Sequence, residues 1–182
     1  MKTRNLLLAV LCLSVVVFGA AQLYAAVTEP STNVPVAIPD NASTTSTLNF
    51  SVAGTITDAN LTFTIAHGWD SDVFVSLTSP VVAIQALVQN CGGSADNFTN
   101  TTIDEDAGPM TCAGTTGAPF TGSFQSPAAG SMDAFDATAS NGIWTLTVGD
   151  DSSIITGTLT AWSLTLDGAP PLPVELMSFE IN

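Results

Sequence analysis

Asn141-Gly142-Ile143-Trp144-Thr145-Leu146-Thr147-Val148 sets a turn signal directly before a stretch in which Trp144, Leu146 and Val148 alternate with threonines. A period of two turns one side of an extended chain toward a core and the other toward water, so it marks a half-buried strand. The same spacing recurs at Leu48, Phe50 and Val52, at Leu61, Phe63 and Ile65, at Val73, Val75 and Leu77, and at Trp162, Leu164 and Leu166. No longer window keeps a helical stripe. Short strands punctuated by Gly, Pro, Asn141-Gly142 and Asp167-Gly168 predict an all-β fold, an antiparallel jelly-roll β-sandwich.

Two local readings follow from the same pattern. Leu159 is out of phase with Trp162, Leu164 and Leu166, and a bulge near Thr160 or Ala161 reconciles the registers. Val81 to Val88 is apolar apart from Gln85 and reads as a strand covered on both faces, with a short buried helix as the alternative.

The chain opens with Lys2 and Arg4, an apolar run from Leu6 to Ala21, and small residues up to Ala25. This is the layout of a secretory signal peptide over residues 1–25, too short an apolar run for a spanning helix. The sequence therefore predicts a secreted protein, extracellular or at the cell surface, with no membrane attachment after cleavage. Residues 26–36, polar and Pro-containing, read as a linker, residues 37–168 as one domain, and residues 169–182 as a Pro-rich tail. Cys91 and Cys112 survive cleavage, and in an oxidising compartment they are expected to form a disulfide contributing about 3 kcal/mol.

Lys2 and Arg4 are the only basic side chains against sixteen Asp and Glu, for a formal charge of −14. Loss of the leader leaves His67 as the one side chain able to turn cationic near neutral pH. Nucleic acid and anionic membrane surfaces are excluded as partners, because nothing remains to neutralise phosphates. The carboxylates must instead be solvated, hydrogen-bonded to backbone N–H groups, or bound to a metal cation.

Asp104-Glu105-Asp106, shortly after Asp96, form the densest cluster, inside the loop that Cys91 and Cys112 would staple. Asp70 and Asp72 follow His67-Gly68-Trp69 at the head of a strand. Oxygen ligands drawn from several loops suit Ca²⁺, and Asp70, Asp72, Asp96, Asp104, Glu105 and Asp106 are the candidate metal ligands. The plainer alternative is that these acids cap turns as Asx side chains do. Asp150-Asp151 reads as turn chemistry. A zinc site has too few histidines, no Gly-x-Ser-x-Gly elbow accompanies His67, and His67 reads as a packed, hydrogen-bonded residue.

The order of segments is also familiar: Ala37 to Asn41, Ile56 to His67 with Gly68-Trp-Asp-Ser-Asp72, and Val73 to Pro80. Ser94-Ala-Asp-Asn-Phe-Thr-Asn-Thr-Thr-Ile-Asp104-Glu105-Asp106 follows, then Asn141 to Val148 and Gly157 to Leu166. These segments resemble the P domain (P/Homo B domain) of proprotein convertases and bacterial secreted proteases, over about residues 37 to 167. The resemblance implies a jelly-roll sandwich without catalytic residues, which stabilises or modulates a protease. It also implies calcium ligands at Asp72, Asp96, Asp104 and Glu105. Two features depart from the family pattern: the leader runs almost directly into the domain, predicting a stand-alone copy, and Gly108 to Thr116 is an insert carrying Cys112.

The function expected is that of a non-catalytic, calcium-stabilised accessory or binding module, with a secreted protease or cell-surface protein as partner. A subunit of an extracellular filament or surface layer, formed by self-assembly, is the alternative from a structural class. A small hydrolase using paired acids is the alternative from the enzymes.

Overall fold

The alternating apolar residues turn inward on two facing sheets. A computed structural model describes residues 26–168, and the signal-peptide and tail expectations lie outside the described residues. The strands are β1 (Val27–Pro30), β2 (Val36–Ile38), β3 (Ser43–Phe50), β4 (Asp58–Ala66) and β5 (Val73–Thr78). They continue with β6 (Gln85–Gln89), β7 (Phe98–Ile103), β8 (Gly122–Phe124), β9 (Gly142–Asp150) and β10 (Gly157–Asp167). One sheet runs β1-β10-β4-β7-β8 with β2 also against β10, and the other runs β3-β9-β5-β6. The chain changes sheet from β2 to β3, β3 to β4, β4 to β5, β6 to β7, β8 to β9 and β9 to β10, the crossovers of a jelly roll.

Pairing is antiparallel except between β7 and β8, where Thr101–Ile103 lie parallel to Gly122–Phe124. The long loop between them, which carries the insert and Cys112, makes a parallel return possible. The Cys91–Cys112 disulfide is formed and ties the end of β6 to that insert.

Leu61, Phe63 and Ile65 of β4 and Leu164 and Leu166 of β10 are fully buried opposite Trp144, Leu146 and Val148 of β9. Each such side chain contributes roughly 1.5–3 kcal/mol by leaving water. Both core indoles keep a partner: Trp144 Nε1 donates to the Ser140 carbonyl at 2.9 Å, and Trp162 Nε1 to Ser46 Oγ at 2.6 Å. The register of β10 on β4 shifts between Leu159 and Ala161, as the phase of the apolar residues requires. Leu159 and Trp162 thereby both face inward.

Two expectations are corrected. Residues 26–36 are not a free linker: β1 pairs with β10 from Val27↔Leu166 to Pro30↔Ser163, and Ser31 Oγ lies 3.0 Å from the buried Ser46 Oγ. Backbone pairing to a long edge compensates for the thin apolar content of the segment. Val81–Val88 is not a strand covered on both faces. The strand is Gln85–Gln89, and Val81 and Ile84 are exposed. Ser79 Oγ accepts from the Val82 N–H at 2.8 Å and the Val81 N–H at 3.3 Å, turning the chain there before the sheet resumes.

β6 is an edge strand, and the segment 126–130 covers part of it. Gly130 N–H donates to the Ala86 carbonyl and Ser126 Oγ to the Leu87 carbonyl, each at 2.9 Å. A Cβ on Gly130 would stand 2.5 Å from the Ala86 carbonyl oxygen. Gly130→Ala is therefore expected to lift this cover and lower stability by about 1–3 kcal/mol in a urea titration. An unchanged midpoint would show that the cover contributes nothing.

Candidate functional site

The Gly68 turn at the end of β4 aims three neighbouring side chains in different directions. His67 is buried, and its Nε2 lies 3.0 Å from Asp150 Oδ2 at the end of β9. Its Nδ1 lies 3.2 Å from the Trp69 amide nitrogen and 2.9 Å from the Trp69 carbonyl oxygen. The neutral ring accepts from the amide through Nδ1, and the protonated ring donates to the carbonyl. Asp150 is also buried, and its Oδ1 accepts from the Ser152 N–H at 2.8 Å. The sequence reading of Asp150 as turn chemistry covers only that last bond. Its partnership with His67, 83 residues away, is added by the fold.

Asp70 opens a short 3-10 helix, Asp70–Asp72, and is fully buried. The loop 92–97 wraps it: the Asp70 N–H donates to the Ala95 carbonyl at 2.9 Å, and the Ser71 N–H to the Gly93 carbonyl at 3.1 Å. Gly92 has φ +90°, and a Cβ there would stand 2.6 Å from Asp70 Cβ, so only glycine lets the loop close this far. Neither oxygen of the Asp70 carboxyl has a hydrogen-bond partner. Burial pushes its pKa up to about 7, the nearby Asn97 N–H pulls it back, and the Asp96 charge raises it further. The Asn97 N–H gives that carboxyl no hydrogen bond, because it donates to the His67 carbonyl at 3.0 Å. Beside this spot a cleft of about 350 Å³ is lined by His67, Gly68, Asp96, Asn97 and Gly157.

The other candidate ligands lie elsewhere. Asp72 lines a separate cleft with Trp69, and its carbonyl accepts from the Asp151 N–H at 2.9 Å. Burial raises the Asp151 carboxyl pKa first, with the Asp72 and Asp150 charges adding. Asp104 Oδ1 accepts from the Asp106 N–H at 2.9 Å, an Asx turn. Glu105 Oε1 accepts from the Met132 N–H at 3.1 Å. Asp104 and Asp106 add repulsion to Asp58, whose pKa burial raises first. Asp106 does the same to Asp136, after burial and the charge of Asp133. The six candidates thus divide among three places. Among the described residues, no three His, Cys, Asp or Glu side chains are grouped to share one ion.

The sequence model of the proprotein convertase P-domain matches residues 56–166, more than half of the chain, and the protein belongs to that family. No curated protein sequence matches it. Among solved structures, the serine protease of Aeromonas sobria in complex with its chaperone is similar, with 17% identity and a TM-score of 0.49. That match covers 80% of this chain and 27% of the protease. The same protease solved by itself is 16% identical with a TM-score of 0.47, covering 79% of this chain. The chain thus spans about a quarter of the length of the proteases it matches.

Asp70 fixes a pH dependence in chelator. Its folded pKa, about 7, stands above the ordinary 3.8, so its stabilising contribution is complete below about pH 4 and is lost as pH rises through 7. In EDTA, Asp70→Asn is expected to flatten the fall of the melting temperature between pH 5 and pH 8. An identical slope in wild type and variant would refute this.

Proposed function

We infer that this P-domain protein is a secreted, non-catalytic module, stabilised by calcium, that serves as an accessory to a secreted protease. The family supplies the accessory role, and the leader of the sequence supplies export. The non-catalytic reading is supported by His67, whose ring nitrogens face Trp69 and Asp150 and so leave no free imidazole to activate a serine nucleophile.

The observation that carries the calcium reading is the Asp70 carboxyl, fully buried with both oxygens unpartnered. A carboxylate in that state costs several kcal/mol unless it is protonated or bound to a cation. Among the described residues there is no lysine or arginine to serve. Ca²⁺ is satisfied by a minority of carboxylates completed by carbonyl, amide and water oxygens, and loop 92–97 carries its backbone carbonyls and the Asn97 side-chain amide. Asp70 and Asp96 are the residues we assign to the ion. Asp72, Asp104, Glu105 and Asp106 are left to the hydrogen bonds and cleft described above.

Calcium is expected to raise the melting temperature and EDTA to lower it, by mass action on the folded state. Asp70→Asn should abolish the response, whereas Asp104→Asn should keep it. Differential scanning calorimetry with and without 1 mM Ca²⁺, about the range of weak extracellular sites, makes the comparison. A melting temperature indifferent to EDTA in the wild type would sink the calcium reading.

A further inference from the structure

We propose that the cleft between Trp69 and the 152–155 loop docks a partner-protein segment in which a lysine or arginine stands beside an aliphatic side chain. The cleft holds about 320 Å³ and is lined by Trp69, Asp72, Ser152, Ser153, Ile154 and Ile155. Trp69 is 43% exposed, and Ile154 is 90% exposed. Large apolar side chains presented together at a surface mark an interaction site.

Both residues are held out by specific bonds. The Trp69 backbone is pinned by the His67 ring, which Asp150 holds from the other side. Ile154 has φ +93°, a conformation that β-branched residues avoid, and its N–H donates to Asp40 Oδ1 at 2.8 Å. Glycine would suit that backbone better, yet the position carries a large aliphatic group facing water. Its exposure contributes nothing to the core.

Charge complementarity identifies the occupant. Asp72 lies in the cleft, Asp151 is bonded to it through the backbone, and the Asp72 and Asp150 charges both act on Asp151. An acidic rim beside an indole suits a cation, which gains from the carboxylates and from the π-face together. A second copy of this chain carries no basic side chain beyond Lys2 and Arg4 and is itself strongly acidic, so it is a poor partner. A sugar would set hydroxyls against the methyl groups of Ile154 and Ile155. A basic segment with an aliphatic neighbour matches every wall. The proposal rests on the binding-module reading for the existence of a partner, and not on calcium.

The test titrates the protein with an acetylated peptide of alternating Arg and Leu, followed by calorimetry and by tryptophan fluorescence. Trp69 reports because Trp144 and Trp162 are buried. Saturable binding is expected, weakened at least about tenfold by Trp69→Ala and by Ile154→Gly. Ile154→Gly should at the same time leave the melting temperature unchanged or higher, which separates docking from folding. Asp133→Asn, which removes one exposed acid elsewhere on the surface, should keep binding within about twofold of wild type. The proposal is overturned if Asp133→Asn weakens binding as much as Trp69→Ala, since bulk charge then accounts for it. Full binding in Ile154→Gly and Trp69→Ala overturns it too. So does saturation by cellohexaose with the peptide inert, or self-association that Trp69→Ala abolishes. Repeating the titration in EDTA keeps the two readings apart, because loss of the calcium response leaves the peptide result standing.

Discussion

Residues 26–168 contain no lysine or arginine, so every carboxylate that the sandwich buries has to be held without one. Asp150 meets this constraint through His67. The half-buried Glu105 and Asp104 accept from the Met132 N–H and within an Asx turn, respectively. The half-buried Asp136 leaves one oxygen unpartnered, and of the two fully buried acids among the described residues, Asp150 and Asp70, only Asp70 has no hydrogen bond on its carboxyl oxygens. The arrangement around it, a glycine loop closed against its Cβ, excludes the water that would otherwise solvate it. The neutral acid and the metal-bound carboxylate are the two states that suit such a pocket, and they make opposite demands on pH.

The two sheets supply the rigidity that this site requires. β4 delivers His67 and β9 delivers Asp150, and these strands belong to different sheets. Their bond therefore also clips the sandwich at one end. The disulfide at Cys91 anchors the start of loop 92–97 at the same end, so the wall of the Asp70 pocket is tied covalently to the insert. Loops do the local shaping, and packed strands fix where they start.

Much of the fold was legible in the sequence. Period-two patterns at Leu61, Phe63 and Ile65 and at Trp144, Leu146 and Val148 place the strands, because burial of one face of a pleated chain is a local property. The phase slip at Leu159 located a bulge for the same reason. Legibility ended where neighbours in space are distant in sequence. Val27–Pro30 look like linker until the free edge of β10 is there to pair with them. Val81 to Ile84 look like strand until Ser79 is seen capping a turn.

The site divides along the same line. Sequence determined that acids, a lone histidine and a tryptophan gather between residues 67 and 72, and that residues 26–168 hold no lysine or arginine to neutralise the acids. Only the tertiary structure decided that Asp70 turns inward and Asp72 toward Trp69. The tight 3-10 turn sends alternate side chains to different sides, and loop 92–97 covers just one of them. The pairing of His67 with Asp150, and the placing of Ile154 beside Trp69, depend on strand register across the sandwich. That register is set by the packing of the whole core, which no short stretch of sequence contains.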